Sequence, residues 1–246
     1  MDWLLSTPIA HRGLHDAGRG VPENSLAAFE AARDAGLPIE LDVRLLRDGA
    51  VAVFHDDNLM RLTGTDSPVA REDSRSITGH RLVGTGQSIP LLAQALDAVN
   101  GKVPLLIELK NSGPPGKLEL AVLSDLEAYR GLYAVQSFNP FSMEWFKRRA
   151  PHVARGHLAG ATPTVVLEGT PETQLQPLEL IEKSAPAFVG FNVHLLPFEP
   201  VTALRRGGMP ILGWTVRSDA DRRRALEHCD NYIFEGIDPF SPNDET

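Results

Sequence analysis

The sequence predicts an α/β chain closed into a (β/α)8 TIM barrel, with a small insertion between residues 56 and 90. Three observations lead there. Short apolar runs alternate with amphipathic segments from end to end, the pattern of βαβ units around a parallel sheet. Eight such strands fall within 246 residues, the usual size of a barrel folded as one unit, so a single domain over 1–246 is expected. No G-x-G-x-x-G or P-loop follows the first strand, which counts against an open doubly wound sheet.

In chain order, Pro8–His11 reads as the first strand. Asn24 is expected to cap a helix over Ser25–Ala35, which Gly36 stops. Pro38–Val43 is the second strand, and the Asp48-Gly49 turn returns the chain as an extra short strand, Ala50–His55. The long stretch Asp56–Pro90 is irregular and rich in Gly, Ser, Thr, Asp and Arg. Stretches of that length are as a rule functional lids or partly disordered. Beyond it come helix Leu91–Val99, strand Val103–Leu109, an irregular Asn111–Gly116, helix Lys117–Tyr129 and strand Tyr133–Ser137. Helix Phe141–Arg149, strand Val153–His157, helix Leu175–Ser184 and strand Phe188–Asn192 follow. Helix Pro200–Arg206, strand Pro210–Thr215, helix Asp219–His228 behind the cap Ser218, and strand Tyr232–Phe234 complete the ring. No internal repeat is visible.

Thirty-two acidic residues against 24 Lys and Arg leave a net charge of −8, which disfavours a general nucleic-acid or anionic-membrane surface. The run Arg222-Arg223-Arg224 reads as a solvated helix face, with no aromatic interleaving for nucleic acid. Cys229 is the single cysteine. No intrachain disulfide or cysteine-based zinc site can form, and Cys229 reads as a small buried apolar residue. The opening Met-Asp-Trp-Leu-Leu-Ser-Thr-Pro has no cationic region and only two adjacent leucines, unlike a secretory signal. No stretch approaches the roughly 20 apolar residues that span a bilayer. The expectation is a cytoplasmic protein without stable membrane anchoring.

In a strand, residues two apart share a face. Glu40 and Asp42 therefore point the same way at the end of strand two, as do Glu108 and Lys110 after the apolar run Leu105-Leu106-Ile107. His11 ends strand one and is followed by Arg12; His55 ends the extra strand; Trp214 closes strand seven. Taken alone, a strand-end glutamate reads as a rim salt bridge and a lone histidine as a satisfied structural residue. In a barrel, however, these ends converge on one mouth, where active sites sit. Three carboxylates there repel and raise one another's pKa unless a cation lies among them. Oxygen-only ligands favour a hard ion, so Glu40, Asp42 and Glu108 are expected to bind Mg²⁺ or Ca²⁺. Flanking histidines suit acid–base work near neutral pH. The metal, Lys110 and Arg12 together make a positive locus apt for phosphate. The residues point to a metal-dependent phosphoester enzyme.

At these positions the chain resembles the glycerophosphodiester phosphodiesterase family, among the phosphatidylinositol-phospholipase-C-like TIM-barrel phosphodiesterases. The shared motifs run in order: His11-Arg12-Gly13, Pro22-Glu23-Asn24-Ser25, Ile39-Glu40-Leu41-Asp42-Val43, Asp48-Gly49 and Val53-Phe54-His55-Asp56. Leu59 with Arg61-Leu62-Thr63-Gly64, Ile89-Pro90-Leu91, Ile107-Glu108-Leu109-Lys110, Ser137-Phe138 and Gly213-Trp214-Thr215-Val216 continue the set. The resemblance implies hydrolysis of glycerophosphodiesters to sn-glycerol 3-phosphate and an alcohol. It also implies a divalent metal on Glu40, Asp42 and Glu108, and His11 and His55 as the catalytic pair. Asp56–Pro90 lies where the family carries an insertion beside the barrel mouth.

On this reading Arg12 and Lys110 contact phosphate, Trp214 lines the glycerol pocket or plugs the barrel, and Glu23 braces Arg12 or favours a helix N-terminus. Phe138 is assigned to packing. His15, His80, His152, His157, His194 and His228 have no motif support and read as structural or surface residues. The chain departs from the family pattern at Arg217, where asparagine is common, and at Phe234-Glu235-Gly236, where Thr-Asp or Thr-Asn is common. The segment Leu14–Val21 is its own. Two alternatives stand beside this reading: a phospholipase D-like enzyme acting on lysophospholipids or sphingolipids, and a barrel that binds a phosphorylated ligand without turning it over. The polar, charged Asp56–Pro90 favours water-soluble diesters over the first. The intact histidines and carboxylates count against the second.

Overall fold

The computed structural model describes residues 2–160 and 181–240. Its strands are β1 (Ile9–Ala10), β2 (Ile39–Leu45), β3 (Val51–Val53), β4 (Leu105–Leu109), β5 (Tyr133–Ser137), β6 (Ala154–Ala159), β7 (Phe188–Asn192), β8 (Ile211–Val216) and β9 (Asn231–Phe234). Eight of them run parallel in the order β1-β2-β4-β5-β6-β7-β8-β9, and β9 pairs back onto β1 to close the ring. This is the expected barrel. The extra strand β3 pairs antiparallel with the C-terminal end of β2, setting Val53 opposite Val43. Because β1 is only two residues long, it leaves that edge of β2 open for β3.

The helices are α1 (Trp3–Ser6), α2 (Leu26–Asp34), α3 (Met60–Thr63), α4 (Ser74–Ile77), α5 (Leu92–Val99), α6 (Lys117–Leu126), α7 (Pro140–Arg149), α8 (Ile181–Ser184), α9 (Glu199–Arg206) and α10 (Asp219–His228). The expected helix at Leu175–Ser184 is seen as α8; residues 175–180 lie outside the described residues. The helix expected to reach Tyr129 ends at Leu126. The cap of α2 is Ser25, whose Oγ accepts from the Ala28 N–H at 3.2 Å, and not Asn24. Ser218 caps α10 as expected, accepting from the Asp221 N–H. Arg222 is a correction. It turns inward with Ala225 instead of facing water, is buried, and pairs with Asp219 at 2.9 Å. No helix among the described residues is long and apolar enough to cross a membrane.

Strand alternation divides the core in two. Ile39, Leu41 and Val43 on β2 and Leu105, Ile107 and Leu109 on β4 face the helices. The residues between them face the barrel axis. At the N-terminal end of the ring this inner face is apolar: Ile9, Leu106, Ala134, Phe188, Leu212 and Ile233 form a floor, closed below by Leu4 of α1. Two residues further along several of these strands the inner face turns polar, at His11, Glu108, Gln136 and Trp214. The floor therefore sets the depth of the site.

The insertion carries short helices and a core of its own, in place of the wholly irregular stretch expected. Leu59, Val69, Ile77, Leu82 and Ile89 gather with Leu46, Ala52 and Phe54 into a small core of their own. Their spacing in sequence follows neither a helical nor a strand period, so no periodic signal announced them.

Burial pushes the Cys229 thiol up to about 12, and the side chain faces Gly213, where an added Cβ would come within 3.0 Å of its sulfur. The floor is equally tight at Gly156, where a Cβ would lie 2.1 Å from the Phe188 ring. Overpacking of this kind costs about 1–3 kcal/mol. Gly156→Ala is expected to lower the unfolding free energy by that amount, read as a lower urea midpoint, and adding Phe188→Leu should restore part of the loss. An unchanged midpoint in the single variant would refute the packing.

Candidate active site

The chain leaves β1 through a sharp turn. Arg12 has φ 55° and Gly13 φ 81°. A Cβ at Gly13 would come within 2.8 Å of the Ala28 main chain, so glycine lets α2 approach closely there. The turn aims the Arg12 N–H at Glu40 Oε2, 3.1 Å away.

Glu40, Asp42 and Glu108 are buried side by side, because β2 and β4 pair in register with Asp42 opposite Glu108. Each offers a carboxylate oxygen, and these oxygens lie within 4.8 Å of one another. Lys110 Nζ reaches Asp42 Oδ1 at 3.0 Å and Glu108 Oε1 at 2.5 Å. Arg12 Nε lies 3.2 Å from Asp42 Oδ2. Asn24 donates to the same oxygen at 2.8 Å and accepts the Asp42 N–H at 3.2 Å.

The three carboxyls respond differently. Burial, then the charges of Asp42 and Glu108, push Glu40 well above the ordinary carboxylate range. Burial also raises Glu108, against the pull of Lys110. At Asp42 burial acts the same way, but Lys110 and Arg12 outweigh it and hold the carboxyl below its ordinary value. Lys110 and Arg12 therefore leave the cluster short of positive charge. Glu40 Oε1 is buried without a hydrogen-bond partner, and the donors are all oxygen. Such a set fits a hard divalent cation.

The two histidines flank this cluster, each with Nδ1 on a carboxylate. His11 Nδ1 bonds Glu235 Oε2, and its Nε2 lies 3.9 Å from Glu40 Oε2. His55 Nδ1 lies 2.7 Å from Asp56 Oδ1, and the His55 carbonyl accepts from Arg44 at 2.9 and 2.6 Å. Burial lowers both imidazoles, more than their carboxylate partners raise them. Asp56 is held at about 2, since its bonds to Arg61 and His55 overcome its partial burial.

Arg61, from the insertion, links the parts. Its Nε donates to Asp56 Oδ2 at 2.6 Å, and its terminal nitrogens reach Glu23 at 2.8 and 3.0 Å. Glu23 accepts from Arg12 Nη1 at 2.6 Å. A cavity of about 150 Å³ opens over the cluster, lined among others by His11, Arg12, His55, Lys110 and Trp214. Trp214 packs edge-on against Phe138, with centroids 5.5 Å apart. Phe138, assigned to packing, lines the cavity as well.

A family model described as the glycerophosphoryl diester phosphodiesterase family matches residues 11–230. The chain belongs to this family. It is 36% identical over 234 residues to a glycerophosphodiester phosphodiesterase of Bacillus altitudinis, covering 88% of this chain and 89% of the relative. It is 30% identical over 231 residues to one from Caldanaerobacter subterraneus, covering 89% of each. Among solved structures it superposes on an Oleispira antarctica phosphodiesterase in complex with the product sn-glycerol-3-phosphate. There the TM-score is 0.78 at 23% identity, covering 94% of this chain and 93% of the other.

For a glycerophosphoryl diester phosphodiesterase family member, all nine residues singled out in the sequence lie at one end of the barrel. Three others to which the sequence assigns no role share it, two of them the departures Arg217 and Glu235. Glu235 bonds His11, Arg217 Nε bonds Glu235 Oε1 at 2.5 Å, and His15, taken for a structural or surface residue, lies half-buried with Nε2 3.6 Å from Glu235 Oε2. Two-residue periodicity from Ile233 would have placed Glu235 on the inner face. His15 carries no such signal, because it lies in the irregular segment after β1.

Asn24 takes a left-handed backbone, φ 53°, and satisfies Asp42 with two side-chain bonds. Asn24→Ala strips a donor from the buried Asp42 carboxylate and an acceptor from the Asp42 main-chain N–H, and is expected to cost about 1–3 kcal/mol in denaturant unfolding. Asn24→Gly tolerates that backbone and should lose the hydrogen-bond share alone. If both variants matched the wild type, the bonds to Asp42 would carry no stability.

Proposed function

We propose that the protein hydrolyses glycerophosphodiesters to sn-glycerol 3-phosphate and an alcohol, with His11 as general base and His55 as general acid. The observation that carries this reading is the placement of two carboxylate-bound histidines around one buried, cation-deficient carboxylate cluster. Family membership and the names of the relatives support the substrate class, and the product bound by the Oleispira enzyme supports sn-glycerol 3-phosphate as the half that stays.

In this reading Glu40, Asp42 and Glu108 would hold Mg²⁺ or Ca²⁺, which would supply several kcal/mol of charge stabilisation to the phosphoryl group. Arg12 and Lys110 bind the phosphate, and Trp214 with Phe138 gives the glycerol an apolar wall. Glu23 holds Arg12 from behind, so the guanidinium is placed before substrate arrives.

The glycerol hydroxyl next to the ester attacks phosphorus, and His11 Nε2 takes its proton. As the bond from phosphorus to the alcohol breaks, His55 protonates the departing oxygen. Water then opens the cyclic phosphate with the roles reversed: His55 takes the water proton, and His11 returns one to the glycerol oxygen. A positioned acid or base contributes roughly 10²–10⁴-fold.

His11→Ala and His55→Ala are each expected to lower kcat by at least 10²-fold on that basis, with metal binding by calorimetry unchanged. Substantial turnover by either variant would sink the pair. Glycerol-3-phosphate release from glycerophosphocholine, glycerophosphoethanolamine, glycerophosphoglycerol and lysolipids, with and without chelator, tests substrate and metal together. Chelator should abolish release and Mg²⁺ or Ca²⁺ restore it. Chelator-resistant hydrolysis would falsify the metal role, and inert diesters would favour a binding protein.

The metal site has a readout apart from activity. Mg²⁺ or Ca²⁺ is expected to raise the Tm of the chelated protein in a concentration-dependent way, and Glu40→Gln should remove that response. A Tm indifferent to both ions refutes the site.

A further inference from the structure

Three adjacent strand ends carry Arg217, Glu235 and His11. β9 lies between β8 and β1 in the ring. The His11 N–H donates to the Phe234 carbonyl at 2.9 Å, and the Glu235 N–H donates to the Val216 carbonyl at 3.1 Å. Main-chain pairing therefore ties the Phe234–Glu235 peptide to both neighbours. Its side chain divides between them: Oε2 meets His11 Nδ1, and Oε1 meets Arg217 Nε at 2.5 Å. We infer that Glu235 is a positioning residue for His11, fixing its ring and its tautomer, and that Arg217 fixes Glu235. The inference rests on the two-histidine reading for its catalytic consequence, but not for its structural one.

An ionised carboxylate can only accept a hydrogen bond, so the proton between the pair sits on His11 Nδ1. The lone pair of the neutral ring is then left on Nε2, the nitrogen turned toward Glu40. A base at this place must present that lone pair to the cavity, and a free imidazole would divide itself between two tautomers and several ring rotations. Glu235 removes that freedom. It is itself held at both oxygens, so it cannot follow the ring if the ring turns.

The second histidine shows the same arrangement built from other elements. His55 Nδ1 bonds Asp56 Oδ1, and Arg61 Nε bonds Asp56 Oδ2 at 2.6 Å. A surface ion pair between Arg217 and Glu235 would need no such partner. The recurrence of histidine, carboxylate and arginine on both sides of one cavity is what a positioning role requires.

The test combines kinetics on glycerophosphocholine with the imidazole ¹⁵N spectrum of His11, taken well above the ordinary histidine pKa of about 6.5. In Glu235→Ala, kcat should fall roughly 10- to 100-fold, the range for partners that orient a working imidazole. KM should stay within about twofold, metal affinity should hold, and the Nδ1-protonated signal should give way to a mixture. Glu235→Gln keeps an acceptor oxygen and should recover part of kcat, which also serves if the alanine variant folds poorly. Arg217→Ala should cost less, and nothing further once Glu235 is alanine, because the two act as one unit. An unchanged tautomer in both Glu235 variants overturns the inference, whatever the rate does. A changed tautomer with an unchanged rate upholds the positioning of the ring and overturns the two-histidine mechanism instead.

Discussion

Asp42 has no exposure to solvent, and it carries a charge. Burying an unpaired carboxylate costs several kcal/mol, so the surroundings have to answer it. Lys110 does so from β4, Arg12 from the turn after β1, and Asn24 from the residue ahead of the α2 cap. Each of these residues takes an otherwise costly position. Arg12 and Asn24 both have left-handed backbones, and Lys110 is itself nearly buried. The demand of one carboxylate thus explains two strained residues and a buried lysine. Compensation stops short of Glu40, whose carboxyl stays raised with one bare oxygen. That remaining deficit is what the proposed divalent cation would answer.

The same logic extends outward in alternating charge. Arg12 neutralises Asp42 and is held by Glu23; Glu23 is shared with Arg61; Arg61 holds Asp56; Asp56 holds His55. One chain of ion pairs runs from the carboxylate cluster to the second histidine through a residue of the insertion. The insertion's own small core fixes Arg61 in place, since α3 carries it and Leu59 anchors that helix. An insertion folded in this way contributes to the geometry of the site without covering it.

Much of this was legible in the sequence, and the boundary has a physical cause. Wherever the inner face of a strand continues to its end, two-residue spacing placed the side chains: Glu40 with Asp42, and Glu108 with Lys110. The ring and its hairpin β3 followed from apolar runs and one Asp-Gly turn. Asn24 was misread because the residue before a helix looks like a cap, and only the fold shows it turned toward Asp42 while Ser25 caps. The insertion was misread because its apolar residues meet through turns, without a period. Glu235 and Arg217 were visible only as separate departures from a family pattern, one after β9 and one after β8. Their pairing depends on β8 and β9 being neighbours in a closed ring, which no local window contains.

The burial of the two histidines distinguishes their proposed roles. The His11 side chain is 11% exposed, that of His55 34%. His11 sits deep, against Glu40 and over the apolar floor. His55 stands at the edge of β3, toward solvent and the insertion. An alcohol that varies in size from one diester to another needs an open exit, and the acid that protonates it has to stand at that exit. In the proposed reaction the deeper imidazole, its pKa lowered by burial, would face the glycerol phosphate that all glycerophosphodiesters share. The proposed assignment of the base to His11 and the acid to His55 agrees with this difference in exposure.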